Sequence, residues 1–281
     1  MDHLIYVACG SRDLQIQALY AAYSALAYKR NLNLAVHVYT DEPKVFEPLA
    51  TGLRVHEVSA AKRDSWRGPG DYGYRMKIAA LAEAAEEYSD GRILFADADT
   101  FFIADVEAVF ARIDARNAVL HRKEYPLLSH PTGQLKRFRK RMRRFRFRGN
   151  EIDLNAEMWN SGAIGLHPTQ FHLLNTILAF IDVISPQYKK QLVEQYAVAY
   201  YLQKNVHVHP CDECVYHYWQ QKPEYQLAIE ERLARWTGSS LEAALGEIRG
   251  KRIELPPYQP RHGWVRRLSD RLFGSEAMES T

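Results

Sequence analysis

An apolar run that ends in two aspartates constrains the fold of this chain more than any other stretch. Residues 93–96 do not alternate with polar residues, which is typical of a strand buried in a parallel sheet. Asp97 and Asp99 follow two positions apart, so in extended chain both carboxylates would point to one face. Open α/β sheets bind ligands at the carboxyl ends of their strands. We therefore expect a divalent cation there, because it relieves carboxylate repulsion and can bridge to a phosphate oxygen.

Strand and helix patterns alternate before this run, with short links between them. Such an alternation predicts an α/β fold with a parallel sheet flanked by helices. Ser11 or Asp13 is placed to cap the first helix. The predicted elements are strands over residues 4–8, 34–39 and 53–58, helices over 14–30 and 74–88, and a polar, glycine-rich loop over 62–73.

The positive charge of the chain is local. Residues 136–148 contain nine Lys or Arg and no acid, whereas the whole chain carries a formal charge of only +3. Phe138, Met142 and Phe145 lie at helical spacing within this segment, so as a helix it has a thin apolar stripe in a cationic coat. An anionic membrane surface is the expected partner, and nucleic acid is the less favoured one.

Cysteine usage and the chain start favour a cytoplasmic location. Three cysteines do not form a disulfide framework, which suggests a reducing compartment. Residues 1–4 have neither the basic nor the apolar region of a signal peptide, and no apolar run is long enough to span a bilayer. Peripheral attachment at the inner membrane face is a further hypothesis. Its second contributor is a basic amphipathic tail over 256–281, whose helix at 263–273 places Trp264 and Leu268 on one side.

The second half of the chain carries further polar groups beside apolar segments. Asn160-Ser161-Gly162 forms a tight approach to a short predicted strand at 163–166. Helices are predicted from Pro168 to about residue 184 and over 187–204. Glu194 and Gln195 interrupt the second helix, either on its exposed side or lining a pocket.

Histidines and cysteines over 207–217 offer zinc as an alternative metal. His207, His209, Cys211, Cys214 and His217 are close in sequence, but their spacing matches no usual zinc knuckle.

The order of these motifs resembles the metal-dependent glycosyltransferases of the GT-A fold. The closest likeness is to glycosyltransferase family 8, which includes glycogenin and bacterial lipopolysaccharide galactosyl- and glucosyltransferases. The resemblance covers about residues 4–225. The matching pieces are Arg75-Met76-Lys77, Phe95-Ala96-Asp97-Ala98-Asp99, Trp159-Asn160-Ser161-Gly162-Ala163, Glu194-Gln195, and His217-Tyr218 with Lys222-Pro223.

The resemblance implies a hexosyltransferase with a Rossmann-like GT-A domain over 1–255, a basic insertion at about 133–149, and a mixed, mostly parallel sheet. It implies a nucleotide-diphosphate hexose donor, usually UDP-linked, and a glycan acceptor, for which a lipid-linked glycan is our specific hypothesis. Retention of anomeric configuration is inherited from the same resemblance. It also implies Mn²⁺, or Mg²⁺, held by Asp97, Asp99 and His217.

Site residues follow from the resemblance too. Gln195, Glu194 and Asn160 are the expected catalytic residues. The expected donor-binding residues are Ala8, Cys9, Asp13, Arg75, Lys77, Asp97, Ala98, Asp99, Asn160, Ser161 and Lys222. One departure is that Lys222 is one residue closer to His217 than the family pattern places it, with no intervening glycine.

Two other functions remain open at this stage. A nucleotidyltransferase that makes nucleotide sugars would use a related sheet, but its glycine-rich phosphate loop is reduced here to Gly10 alone. A non-enzymatic module could bind an anionic ligand through residues 136–148, but this leaves Asp97 and Asp99 without a role.

Overall fold

Strands and helices alternate along the chain in the computed structural model, which describes residues 1–30 and 33–256. In chain order the elements are β1 (Asp2–Ala8), α1 (Arg12–Tyr28), β2 (Leu34–Thr40), a 3₁₀ helix (Pro43–Leu49), β3 (Arg54–Glu57), α2 (Ala60–Arg67), α3 (Arg75–Glu87), β4 (Ile93–Ala96), β5 (Thr100–Phe102), α4 (Val106–Phe110), β6 (Asn117–Pro126), α5 (Gly133–Met142), β7 (Arg146–Phe147), β8 (Asn150–Glu151), β9 (Glu157–Leu166), a 3₁₀ helix (Pro168–Gln170), α6 (His172–Ile184), α7 (Leu192–Asn205), β10 (His207–His209), β11 (Val215–His217), α8 (Lys222–Trp236) and α9 (Leu241–Gly250).

Seven strands form the main sheet, in the order β10-β6-β9-β4-β1-β2-β3. All neighbouring pairs are parallel except those of β9, which runs antiparallel to both β4 and β6. The predicted α/β class, with a mixed and mostly parallel sheet, is confirmed. The aspartate strand β4 lies near the middle of this sheet, and its four residues are all buried.

Helices cover both faces of the sheet and divide the core in two. One cluster packs α3, α5, α6 and α7 against sheet residues such as Ile93 and Phe95. The other packs α1, α8, α9 and the small β5–β11 sheet against Leu94 and Ala96. Successive residues of a strand face opposite sides, so neighbouring residues of one strand serve different clusters. The site described below lies where β4 and β9 meet both layers.

Several local predictions need correction. The loop predicted over 62–73 is wrong in its first part, because α2 extends to Arg67 with Ser59 as its cap. The short strand predicted at 163–166 is the end of the longer β9, so Asn160, Ser161 and Gly162 lie within a strand. The helix predicted over 187–204 begins only at Leu192. Of the two residues proposed to cap α1, Ser11 does so by accepting from the Leu14 amide.

The basic segment is a helix only in part. α5 ends at Met142, and β7 and β8 form a small hairpin after it. Phe138, Met142 and Phe145 are buried in the core, so the apolar stripe faces the protein. The helix predicted at 263–273 lies outside the described residues. Within the described part of the chain, no helix has the length and apolar character needed to cross a membrane.

Candidate active site

Asp97 and Asp99 lie in the turn that joins β4 to β5. The expectation that both continue an extended strand is wrong, because the chain turns at Ala98 and Asp99. The Asp97 amide donates to the Gly162 carbonyl at 2.8 Å, and the Thr100 hydroxyl donates to the Asp97 carbonyl at 2.7 Å. These bonds fix the turn at the carboxyl end of β4, where the sequence analysis placed the two carboxylates.

His217 reaches the same turn from a distant part of the chain. β11 pairs with β5 so that His217 lies opposite Thr100. Its Nε2 atom is 3.2 Å from Asp99 Oδ2. One ligand atom from each of Asp97, Asp99 and His217 lies within 4.8 Å of the others, and among the described residues this is the one group of three with metal-ligand geometry. The predicted ligand set is therefore assembled in space.

Asn160 fixes which nitrogen of the His217 ring carries the proton. Its Oδ1 atom accepts from the Gly162 amide at 2.9 Å and lies 3.0 Å from His217 Nδ1. The backbone amide can only donate, so this atom must be the carbonyl oxygen, and Nδ1 must carry a proton. In the neutral ring Nε2 then has a lone pair that faces Asp99. Gly162 permits this packing, because a Cβ there would overlap the ring.

This donor set fits a divalent cation. A lone pair on Nε2 and a carboxylate oxygen repel at 3.2 Å unless a proton or a cation lies between them. Two carboxylates and one imidazole are ligands that suit Mn²⁺, and carboxylates suit Mg²⁺. The ring is oriented through its other nitrogen, as metal-binding histidines usually are. Asp97, Asp99 and His217 could therefore hold the metal that the sequence predicted.

A buried lysine links the aspartates to α7. Lys77 Nζ lies 3.6 Å from Asp97 Oδ1 and 3.2 Å from Glu194 Oε2. It also donates to the Ser161 hydroxyl at 3.0 Å, and that hydroxyl donates to Glu194 at 3.1 Å. Glu194 is fully buried, so of its two proposed locations the exposed one is excluded. Lys77 thus contacts the aspartate turn directly, and Glu194 contacts it through Lys77.

Burial and charge shift the pKa values of these groups. Burial raises the pKa of Glu194 to about 7, although Lys77 opposes the shift. Burial also acts to raise the pKa of Asp99, but the His217 ring in the form that carries a proton on Nε2, together with the Lys222 ammonium, outweighs it and holds that pKa far below its usual range. Burial lowers the pKa of Lys77, but Asp97 and Glu194 outweigh it, so the ammonium stays charged. Asp99 is therefore ionised, and Glu194 can gain or lose a proton near neutral pH.

Lys222 supplies a second cation at the site. It is the first residue of α8, and its Nζ lies 2.9 Å from Asp99 Oδ2. Its side chain is 49% exposed, in contrast to the buried Lys77. The amide of Tyr218 donates to the Asp99 carbonyl at 3.2 Å, which ties the segment before α8 to the turn. The lysine is thus fixed at its base, while about half of its side-chain surface is open to solvent.

Gln195 faces a residue that the sequence did not single out. Its amide donates to Glu124 Oε2 at 2.7 Å, so neighbouring Glu194 and Gln195 have different partners. Glu124 lies at an irregularity in the pairing of β6 with β9, between Lys123 and Tyr125. Bulges of this kind redirect side chains, and no local sequence signal predicts one here.

The turn after β1 was predicted to contribute Ala8, Cys9 and Asp13. Ala8 and Cys9 are buried, the Cys9 thiol lies 3.7 Å from the Tyr39 carbonyl, and burial raises the pKa of that thiol to about 12. Asp13 is exposed. The turn is organised instead by Asp41, which accepts from the Gly10 amide at 2.9 Å and was not predicted.

Arg75 and His209 have partners outside the acidic cluster. Arg75 pairs with Asp182 at 2.6 Å and donates to the Trp66 carbonyl, so these contacts, rather than an external anion, account for its charge. His209 contacts Asn117 at 2.8 Å. His207 and the two later cysteines enter no metal-like group among the described residues. The zinc alternative therefore has no structural support.

Ala98 and Ser161, also predicted to bind the donor, are buried beside the aspartates.

His121 was missed by the sequence analysis. Its ring packs edge-on against that of His217, with 5.3 Å between centroids, and burial lowers the pKa of His121 to about 4. It therefore packs on the ligand histidine as a neutral ring.

Comparison with known proteins adds one structural likeness. No protein-family model matches this sequence, and the curated proteins give no match. Among the solved structures that match is mouse xyloside xylosyltransferase 1 in its apo form, with 17% sequence identity and a TM-score of 0.49. The match covers 82% of this chain and 92% of that one. So distant a likeness carries no information on activity, which is argued below from the side chains.

Proposed function

We propose that this chain is a GT-A-type glycosyltransferase that moves a hexose from a nucleotide-diphosphate sugar to a glycan. The observation that supports it best is the convergence of Asp97, Asp99 and His217 at the carboxyl end of a central strand, with Lys77 and Lys222 beside them. Ligands of open α/β sheets bind at such an edge. The resemblance in motif order points to a UDP-linked hexose as donor.

The chemistry of the site suits a diphosphate leaving group. A divalent cation, Mn²⁺ or Mg²⁺, held by Asp97, Asp99 and His217 would stabilise the charge that develops on the departing diphosphate. Lys222 adds a partly exposed positive charge at the same place. A nucleoside diphosphate is already a good leaving group, so no protonating acid is needed.

Asn160, Glu194 and Gln195 are proposed to act on the donor sugar. Asn160 is 7% exposed and Gln195 is also 7% exposed, so only small polar surfaces of each are open to a ligand. Glu194 does not open to solvent and acts through Lys77 and Ser161. We propose that Gln195 faces the anomeric carbon and that the sugar is transferred with retention, as the family resemblance implies.

A lipid-linked glycan at the cytoplasmic face of a membrane is the proposed acceptor. The cations of 136–148 supply the attraction to an anionic surface, and the 263–273 segment is proposed as a second contact. With the apolar stripe of α5 buried, that helix contributes charge but no apolar insertion.

The nucleotidyltransferase alternative is disfavoured by one contact. Such an enzyme needs backbone amides after β1 to hold phosphates. Here the Gly10 amide donates to both carboxylate oxygens of Asp41, at 3.1 and 2.9 Å. A carboxylate thus occupies the place where that function needs a phosphate.

Binding of UDP tests the proposal. We expect Asp97→Asn and Asp99→Asn each to weaken Mn²⁺-dependent UDP binding by more than about 100-fold, since even residues behind metal ligands are worth about 10- to 100-fold. Calorimetry with Mn²⁺ and with chelator measures this effect. Asp90→Asn is the control, because Asp90 is exposed just before β4. Metal-dependent UDP binding that survives in either aspartate variant contradicts the proposal.

A further inference from the structure

Four cationic side chains surround one surface cavity beside α5. Arg137, Lys140, Arg141 and Arg144 line a cavity of about 140 Å³, and no other described residue lines it. Their spacing of i, i+3, i+4 and i+7 places them along one side of the helix and its end. Among the described residues, every side chain around this cavity is therefore positively charged.

The cavity is held in place by the opposite side of the helix. Leu135, Phe138 and Met142 are buried, with exposed fractions of 3%, 0% and 0%. Phe145, just after the helix, is also buried. Because this stripe packs in the core, the cations cannot move apart by rotation of the helix.

Two other basic residues of the segment, Arg139 and Arg146, have internal partners. Arg139 donates to the carbonyls of Leu127 and His130 at 2.7 and 3.0 Å. Arg146 pairs with Glu151 at 2.7 Å. These contacts direct both guanidinium groups to partners within the protein.

The four cavity residues differ in this respect. Within residues 1–30 and 33–256 none of them makes an ion pair. Arg141 donates through Nη2 to the Gln187 carbonyl at 3.1 Å, and its guanidinium lies over the Phe145 ring, 5.7 Å from the centroid. Its Nε is buried and has no hydrogen-bond partner in the same residues. A buried donor without an acceptor is costly, and so are like charges four residues apart. The negative end of the helix offsets only part of this repulsion.

We propose that this cavity is a binding site for a phosphate group. A phosphate carries more than one negative charge and offers several acceptor oxygens, which match three guanidinium groups and one ammonium. It would relieve the repulsion along α5. The site shares no residue with the acidic cluster, so it can be tested without any assay of sugar transfer.

Two double variants of equal charge test the site. Arg137→Gln with Lys140→Gln removes two cavity cations, and Lys136→Gln with Arg143→Gln removes two exposed cations of the same segment that do not line the cavity. Gln is a good helix former, so both proteins should fold. Titration calorimetry with inorganic phosphate, at constant ionic strength in chloride, measures binding to the full chain. We expect the cavity pair to lose about tenfold or more in affinity and the control pair less than about twofold.

Vesicles identify the source of the phosphate. If it belongs to a lipid headgroup, phosphatidylglycerol vesicles will pellet the protein, phosphatidylcholine vesicles will not, and only the cavity pair will weaken pelleting. If phosphate binds but neither vesicle pellets the protein, the ligand is a soluble phosphorylated molecule, and the site still stands. Equal losses in the two double variants, or no phosphate binding by the unchanged protein, would overturn the proposal and leave a diffuse basic surface.

Discussion

At the scale of single residues, one amide connects the backbone of β9 to the predicted metal site. Asn160 Oδ1 takes two hydrogen bonds, one from the Gly162 amide and one from His217 Nδ1. The first bond fixes which way the amide faces, and the second then fixes which nitrogen of the ring is free. Asn160 thus has a positioning role that precedes any contact with a sugar.

Substitutions at Asn160 separate this role from direct sugar contact. Asn160→Asp retains an acceptor for both donors, whereas Asn160→Ala leaves His217 Nδ1 without one. We expect Asn160→Ala to weaken Mn²⁺ binding by about 10- to 100-fold and Asn160→Asp to preserve it. Calorimetry without donor measures the affinity, and ¹⁵N NMR of the ring reports the Nδ1–H form. Equal Mn²⁺ affinity in all three proteins would mean that Asn160 does not position the ring.

At the scale of elements, α7 serves two functions with adjacent residues. Glu194 reaches Lys77 and Ser161, and Gln195 reaches Glu124 on β6. The helix therefore connects the aspartate turn to a second polar pair. Of these two neighbours, Glu194 is fully buried and Gln195 exposes a small part of its surface.

A pair of glutamines on this helix provides a test. Gln195→Ala should lower turnover about 10- to 100-fold while donor binding changes little, as for a group that acts mainly in the transition state. Gln203→Ala is the matched control, since Gln203 bonds only to backbone carbonyls of Glu157 and Ala199. Donor hydrolysis with a panel of nucleotide sugars and Mn²⁺ gives turnover and KM. Unchanged turnover in Gln195→Ala would exclude the catalytic role.

The elements that the sequence predicted correctly are those that depend on the pattern of nearby residues. The strands up to β4 follow from apolar runs and short links, so they were found with small errors in their bounds, whereas the turn at Ala98 and Asp99 was predicted as extended chain. Glu124 was not found, because a β-bulge depends on pairing with β9 rather than on nearby residues. The predicted strand at 163–166 was shorter than β9 for a related reason. Asn160 and Ser161 have the sequence of a turn, and only their contacts with other elements show that they belong to the strand.

At the scale of the whole molecule, three strands are joined by a buried chain of imidazoles. His3 Nδ1 lies 3.0 Å from His37 Nε2, and His37 Nδ1 lies 3.0 Å from His56 Nε2. Each neutral ring has one donor and one acceptor, so the chain is satisfied without a charge. Burial lowers the pKa of all three histidines, and lowers that of His37 to about 3.

This chain makes the stability of the molecule depend on pH. In the unfolded state a histidine gains its proton near pH 6.5, but folded His37 stays neutral down to about pH 3. The unfolded state thus binds more protons, so the free energy of unfolding is fully retained above about pH 6.5 and falls as the pH drops towards 3, by up to about 1.4 kcal/mol per pH unit for each such histidine.

His37→Gln tests that dependence. We expect a shallower fall in the free energy of unfolding between pH 6.5 and 5 than in the unchanged protein, measured by urea denaturation. His172→Gln changes an exposed histidine and serves as control. The same slope in all three proteins would show that His37 does not set the acid response.

In the proposed function, the contact between Lys222 and Asp99 has a consequence for how the binding of metal and diphosphate is coupled. The ammonium lies 2.9 Å from the same oxygen, Oδ2, that faces His217, so Lys222 and a divalent cation are rivals for one ligand atom. Under the proposed function, a diphosphate that draws Lys222 away would strengthen the binding of the cation, and reciprocity would require the cation to strengthen the binding of the diphosphate by the same factor. We therefore expect the two ligands to bind cooperatively, each more weakly alone than together.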